Sequence, residues 1–327
     1  MINDIALVIG GLVLLVAGAD RFVVGAATTA RNLGISPILI GLTIVGFATS
    51  APEILVSATA SIKGSAMLAV GNAIGSNIAN IALVLGVVAV LHPVEVKSQT
   101  LMREMPVLLA VTLLALSLFL DNYLSRVDGA VLIGTMGVVM YWIVRLATTP
   151  NRDDPINEAF DADIPSNLNM KMSVFWLIVG LLALLVGAEL LVRGATEMAR
   201  VFGVSELVIG VTLVAIGTSL PELAVSIISV VRGEYGLVVG NVIGSNIFNL
   251  VAVIGVAALI QPTGIDPNVL TLHFFVMSSF TLVLFAMAYT YSGVGYVNRI
   301  EGMILVIAFV AYHYYVITND LAMPQNG

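Results

Sequence analysis

The chain repeats itself at a fixed offset. Gly46-Phe47-Ala48-Thr49-Ser50-Ala51-Pro52-Glu53 and Gly71-Asn72-Ala73-Ile74-Gly75-Ser76-Asn77-Ile78-Ala79-Asn80 return as Ile216-Gly217-Thr218-Ser219-Leu220-Pro221-Glu222 and Gly240-Asn241-Val242-Ile243-Gly244-Ser245-Asn246-Ile247-Phe248-Asn249. Glu53 and Glu222 are 169 residues apart, as are Asn80 and Asn249. Fainter echoes keep the same register: Gly25-Ala26 with Gly194-Ala195, Ala30-Arg31 with Ala199-Arg200, and Gly34 with Gly203. Each copy sets a proline and a carboxylate inside an apolar run. That pattern predicts one site assembled from two halves.

With 59% hydrophobic and 10% charged residues and a mean hydropathy of +1.06, the chain has too few charges to cover the surface of a water-soluble domain. A bilayer is the solvent it fits. The opening Met1-Ile2-Asn3-Asp4 carries an acid where a secretory signal has basic residues, and the apolar run that follows is too long for a signal core. It is expected to remain as a span. Cysteine is absent, which excludes disulfides and thiolate-bound metals. Much of the net charge of −7 comes from one loop and no basic face is available, so nucleic acid is not an expected partner.

Apolar runs of spanning length fall near 5–30, 37–61, 66–91, 104–120, 127–147, 173–198, 206–231, 236–260, 269–291 and 300–318, ten in all. The expected fold is an all-α membrane protein of two five-helix repeats, 1–147 and 173–327, joined by an acidic cytoplasmic linker, 148–172. Arg126-Val127-Asp128-Gly129 is echoed by Arg299-Ile300-Glu301-Gly302 at an offset of 173, so the repeat reaches the last span. An odd number of spans per half makes the second copy enter from the opposite side, giving inverted topology. The linker holds Asp153, Asp154, Glu158, Asp161 and Asp163 but lacks the glycine and ligand spacing of an EF-hand. If the N-terminus shares a side with every second loop, that side holds Lys63, Arg126, Arg193 and Arg200. The other holds Arg21, Arg31, Lys97, Arg103, Arg145, Arg152, Lys171, Arg232 and Arg299. The positive-inside rule then places both termini outside.

Glu53 and Glu222 lie near mid-span, where a carboxylate costs several kcal/mol unless paired, protonated or ion-bound. No lysine or arginine lies deep in the same spans. Pro52 and Pro221 lack an N–H, so the carbonyls of Ala48 and Gly217 are expected to lose their helical partners beside the acids. Thr49, Glu53 and Ser57 fall at i, i+4 and i+8, as do Asn72, Ser76 and Asn80, and Thr218, Glu222, Ser226 with Asn241, Ser245, Asn249 repeat these polar stripes. Gly71, Gly75, Gly240 and Gly244 offer close helix approach. Asn77 and Asn246 lie off the stripe, where packing hydrogen bonds are one reading. An all-oxygen ligand set favours Na⁺, Ca²⁺ or Mg²⁺ over zinc or copper. Asp20 and Glu189 form another repeated acid pair, read as local ion pairs, with Arg193 available to Glu189, or as steps on an ion path. His92, His273 and His313 fall near span ends and suit interfacial roles. No enzyme motif accompanies them, so neither catalysis nor a cofactor is expected.

These residues resemble the two alpha-repeats of the sodium/calcium exchanger family, prokaryotic type, within the cation/calcium antiporter superfamily. The resemblance covers almost the whole chain. It implies an antiporter exchanging Na⁺ for Ca²⁺ by alternating access in the prokaryotic inner membrane. Its ion ligands would be Thr49, Ser50, Glu53, Ser76 and Asn80, with Thr218, Ser219, Glu222, Ser245 and Asn249, joined by main-chain oxygens of Gly46 and Ala215. It also implies that spans one and six slide across a fixed core. Some prokaryotic members carry an acid where this chain has Asn249, so here Glu53 and Glu222 alone are formally charged. An H⁺-coupled or Mg²⁺/Mn²⁺-selective antiporter of the same fold, and a cation channel, are the alternatives.

Overall fold

The computed structural model describes residues 2–148, 168–203, 215–288 and 294–322. Most of the linker, the start of the 206–231 span and the end of the 269–291 span lie outside the described residues. The chain is mostly helical. It begins with α1 (Ile2–Leu33), followed by α2 (Pro37–Thr49) and α3 (Ala51–Ile62), which are bent by 40° at Ser50. Then come α4 (Ala66–Leu91), α5 (Ser98–Phe119) and α6 (Arg126–Thr148). The second part supplies α7 (Met170–Val201), α8 (Ala215–Thr218), α9 (Leu220–Val231) and α10 (Tyr235–Ile260). It ends with α11 (Val269–Phe274 continuing as Phe275–Ala288) and α12 (Arg299–Ala322). Among the described residues seven helices are long and apolar enough to cross a membrane, or eight if α2 and α3 count as one span. The protein is a multi-pass membrane protein.

Four short strands depart from the all-α expectation. Val94–Lys97 (β1) pairs antiparallel with Val294–Val297 (β4), and Tyr123–Leu124 (β2) with Thr263–Gly264 (β3). A strand from before the linker always pairs with one from after it. The helices cross-pack in the same way. A Cβ built on Gly302 of α12 lies 2.7 Å from the Gly86 carbonyl oxygen of α4, and one on Gly129 of α6 lies 2.9 Å from that of Gly255 in α10. Gly86 and Gly255 are 169 residues apart, and Gly129 and Gly302 are 173.

Backbone conformation repeats too. Gly34 and Gly203 (φ +67° and +76°) end α1 and α7, and Gly64 and Gly233 (φ +90° and +74°) end α3 and α9. Each supplies the left-handed residue that terminates a helix.

α4 and α10 form the centre, with 72% and 83% of their apolar windows buried against 22% for α1, α6 and α7. Ile78, Ile81, Leu85 and Val88 of α4 pack there with Ile243, Leu250 and Val253 of α10. On one flank α1 and α7 lie antiparallel in close contact. Glycines 11, 18 and 25 of α1 and 180, 187 and 194 of α7 recur every seven residues and face the opposing backbone. A Cβ on Gly11 lies 2.8 Å from the Gly187 oxygen, and one on Gly187 lies 2.9 Å from that of Gly11. A seven-residue period keeps one stripe facing a partner helix along its length, and small residues let the backbones meet.

A candidate cation site at the helix breaks

Ser50 and Ser219 interrupt their helices with nearly the same backbone angles, φ −81°, ψ 2° and φ −90°, ψ 3°. The sequence predicts a kink caused by Pro52 and Pro221. The breaks fall within the expected stretches, Ala48 to Pro52 and Gly217 to Pro221, two residues before each proline, because proline is well tolerated in the first turn of a new helix. α3 and α9 therefore start just before the acids, and Glu53 and Glu222 sit in their first turns. There the positive end of the helix dipole favours a carboxylate. The last carbonyls of a helical segment lack onward helical N–H partners at such a break.

Both acids are 1% exposed. Their carboxylates lie close enough to act on each other, and the partnering with threonine is crossed: the Thr218 side chain lies beside Glu53, and that of Thr49 beside Glu222. Thr49 spends its hydroxyl hydrogen elsewhere, donating to Asn241 Oδ1 at 3.0 Å. Neither Glu222 oxygen, nor Glu53 Oε2, has a hydrogen-bond partner. The hydroxyls of Ser50 and Ser219 are likewise buried and unpartnered. Ser245 Oγ lies 3.3 Å from Thr49 Oγ1 and donates to the Gly46 carbonyl at 3.4 Å. Ser76 is buried on α4, while Ala215 is the first described residue of α8.

Asn80 and Asn249 sit in wide turns with π-helical bonding, Ala79–Leu85 in α4 and Asn249–Val253 in α10. Such turns recur at functional sites because they rotate one side chain out of helical register. The sequence stripes assume unbroken α-helix and miss them. Asn80 Nδ2 donates to Asn246 Oδ1 at 3.1 Å, and Asn249 Nδ2 donates to Asn77 Oδ1 at 3.0 Å. Asn80 Oδ1 and Asn249 Oδ1 are left buried with no donor. Asn77 and Asn246 thus hold the two amides from across the molecule, a role beyond general packing.

Asn72 and Asn241, by contrast, face their neighbouring helices. Asn72 Nδ2 donates to Ser57 Oγ at 3.3 Å, and Asn241 Nδ2 donates to Ser226 Oγ at 3.0 Å and to the Glu222 carbonyl at 3.3 Å. They tie α4 to α3 and α10 to α9, fixing the helices that carry the acids. Gly240 and Gly244 make the close approach expected of them: a built Cβ on Gly244 lies 2.6 Å from the Leu42 oxygen. Nothing among the described residues comes within 4 Å of a Cβ on Gly71 or Gly75.

Asp20 makes the local ion pair anticipated for it, with the adjacent Arg21 at 4.0 Å, and reaches a second, distant partner as well. It binds Arg232, and Glu189 and Arg193 form no ion pair with each other. His273 Nδ1 meets the Tyr312 hydroxyl at 2.6 Å, and His92 stacks on Tyr235, both away from the acids.

Buried acceptors that lack donors are rare because each loses its hydration uncompensated. Here both halves supply them: carboxylate oxygens of Glu53 and Glu222, the amide oxygens of Asn80 and Asn249, and the hydroxyls of Ser50 and Ser219. Among the described residues no group of three or more His, Cys, Asp or Glu is present, so any cation here takes its remaining oxygens from amides, hydroxyls and main chain. That donor set suits a hard cation.

Comparison with known proteins agrees with this chemistry. The sequence pattern of the sodium/calcium exchanger protein family matches residues 3–145 and 172–318. The chain is 46% identical over 307 residues to a putative antiporter, CaxA, of Alkalimonas amylolytica, covering 94% of this chain and 96% of that one. It is 40% identical over 269 residues to the inner membrane protein YrbG of Escherichia coli, covering 82% and 83%. The solved sodium/calcium exchanger of Methanococcus jannaschii superposes with a TM-score of 0.81 at 34% identity, over 95% of this chain and 97% of that one. The same fold was also solved, as NCX_Mj, after soaking in Na⁺ and Sr²⁺. Fold, buried oxygen cluster and sequence match together place this chain in the sodium/calcium exchanger family.

Proposed function

We propose that the protein is a secondary antiporter that exchanges Na⁺ for Ca²⁺ by alternating access. The carrying observation is the set of unpartnered buried acceptors: Glu53 Oε2, both Glu222 oxygens, Asn80 Oδ1 and Asn249 Oδ1. Its ligands are Glu53, Glu222, Asn80, Asn249, Thr49, Thr218, Ser50, Ser219, Ser76 and Ser245, with main-chain oxygens of Gly46 and Ala215. Two carboxylates and neutral oxygens can bind either Ca²⁺, which takes about 6–8 oxygens in a flexible shell, or Na⁺, and exclusive occupancy couples the two.

The chain forms two inverted five-helix repeats, 1–147 and 173–327, ten spans in all, in the prokaryotic inner membrane with both termini outside. The crosswise pairings support this reading, since β1–β4 and β2–β3, like Gly86–Gly302 and Gly255–Gly129, exchange under one two-fold relation. The antiparallel course of α1 and α7 fits a second copy inserted upside down.

The test is Ca²⁺ uptake into proteoliposomes loaded with Na⁺ or with K⁺, at matched potential and pH. Uptake only against internal Na⁺ supports the proposal. Equal uptake in both rejects Na⁺ coupling in favour of protons or a channel, and uptake of Mg²⁺ or Mn²⁺ alone reassigns the substrate.

A further inference from the structure

We infer that Asn77 makes residue 249 a hydrogen-bond donor and thereby excludes an ionised acid there, so that the site keeps two formal charges. This rests on reading Asn249 as an ion ligand. The argument begins at the main-chain carbonyl of Asn246, which can only accept. Asn77 Nδ2 donates to it at 3.1 Å and also faces Met277 Sδ at 3.6 Å. Asn77 Oδ1 therefore points to residue 249 and accepts from Asn249 Nδ2 at 3.0 Å. Asn77 is 1% exposed and Asn246 and Asn249 are 0% exposed, so no solvent relieves a mismatch. Turning the Asn77 amide over brings Oδ1 against the Asn246 carbonyl, two acceptors in contact. The chain of bonds has one polarity, and it ends with Asn249 Oδ1 buried and without a donor. An ionised Asp at 249 sets its oxygen against Asn77 Oδ1.

The related position in the other half lacks this constraint. Asn80 Nδ2 donates to Asn246 Oδ1 at 3.1 Å, but Asn246 Nδ2 is buried with no partner. Turning that amide over breaks no other side-chain bond and offers a donor to residue 80. The same Asn→Asp change is accommodated at 80 and rejected at 249. Residues 77 and 249 form a coupled pair that sets the charge of the site.

The experiment compares Asn249→Asp, Asn80→Asp, Asn77→Ser and the double variant Asn77→Ser with Asn249→Asp in the full chain. A serine hydroxyl can donate to a carboxylate at 249. Melting temperature and the yield of folded protein in detergent read the lock independently of transport, and the KM for Ca²⁺ in Na⁺-loaded proteoliposomes reads the site. Expected is a loss in Asn249→Asp, with KM raised about tenfold as for couplings between contacting residues, a clearly smaller loss in Asn80→Asp, and recovery of melting temperature and KM in the double variant. Failure of Asn249→Asp to fold, with folding regained on Asn77→Ser, supports the lock equally. Equal losses at 80 and 249, or an equal loss at 249 in both backgrounds, overturn it. Asn249→Leu separates the underlying reading: an unchanged KM for Ca²⁺ removes Asn249 from the ligands, while the melting series still decides the coupling.

Discussion

Arg232 donates to Asp20 through Nε at 2.9 Å, with Nη2 directed at the same carboxylate oxygen, joining α1 to the turn between α9 and α10. The pair is half-buried and crosses 212 residues of sequence. Arg21, the next residue of α1, lies over the Trp176 ring at 4.7 Å. The repeat gives Asp20 and Arg232 the counterparts Glu189 and Lys63, and neither of those has an ion-pair partner among the described residues. One link is made and its relative is open.

Breaking the closed link is therefore expected to change transport more than folding. Arg232→Gln or Asp20→Asn should slow exchange several-fold, in line with about 1 kcal/mol for a partly exposed pair. The swap Asp20→Arg with Arg232→Asp should recover most of it. Initial uptake rates in proteoliposomes measure both. No recovery in the swap removes the pair as the cause.

Neutralising either acid is expected to be far more damaging. Glu53→Gln and Glu222→Gln keep shape and burial but remove half the formal charge available to a cation. A loss of about 3 kcal/mol for an unmatched buried charge corresponds to about a hundredfold weaker exchange. Each variant should still insert, as size-exclusion chromatography in detergent will report. Wild-type exchange in either inserted variant contradicts the site.

The α1–α7 seam offers a test with a built-in control. Ala at Gly11 brings a Cβ to 2.6 Å from Leu191 N, whereas nothing lies within 4 Å of one on neighbouring Gly10. Gly11→Ala should destabilise by about 1–3 kcal/mol through overpacking. Gly10→Ala should be close to neutral. Thermal melts of the two proteins decide it.

Glu234, in the turn after α9, is 7% exposed. Burial raises its carboxyl above the ordinary value of 4.5, an effect Arg31 partly opposes. Below about pH 4.5 both folded and unfolded forms hold the proton and its contribution to stability is complete. As pH rises the unfolded chain ionises first, and that stability is lost until the folded group ionises too. Glu234→Gln is expected to melt higher than wild type at pH 7 and alike at pH 4. A lower melting temperature at pH 7 shows that the charge on Glu234 is stabilising.

Much of the candidate site is legible because a duplicated chain carries each candidate residue twice. The offset linking Glu53 to Glu222 also links Asn77 to Asn246 and Gly11 to Gly180. The seven-residue glycine spacing in α1 and α7 carries the same signal, of which Gly25 and Gly194 are one matched pair. The short strands leave little trace in the sequence because β2 and β3 have two residues each and pair only with partners across the linker.

The sequence alone determined that this chain belongs in a bilayer, that its acids come as a matched pair, and that the repeated polar residues offer oxygen ligands, because composition and spacing are local properties. Tertiary structure decided which half serves which. Thr218 lies by Glu53, Asn77 holds Asn249, and Arg232 takes Asp20. It also decided at which residue of the proline-weakened stretches the helices break, Ser50 and Ser219. These pairings depend on how two copies face each other, and hydrogen-bond polarity between buried groups exists only once both are in place.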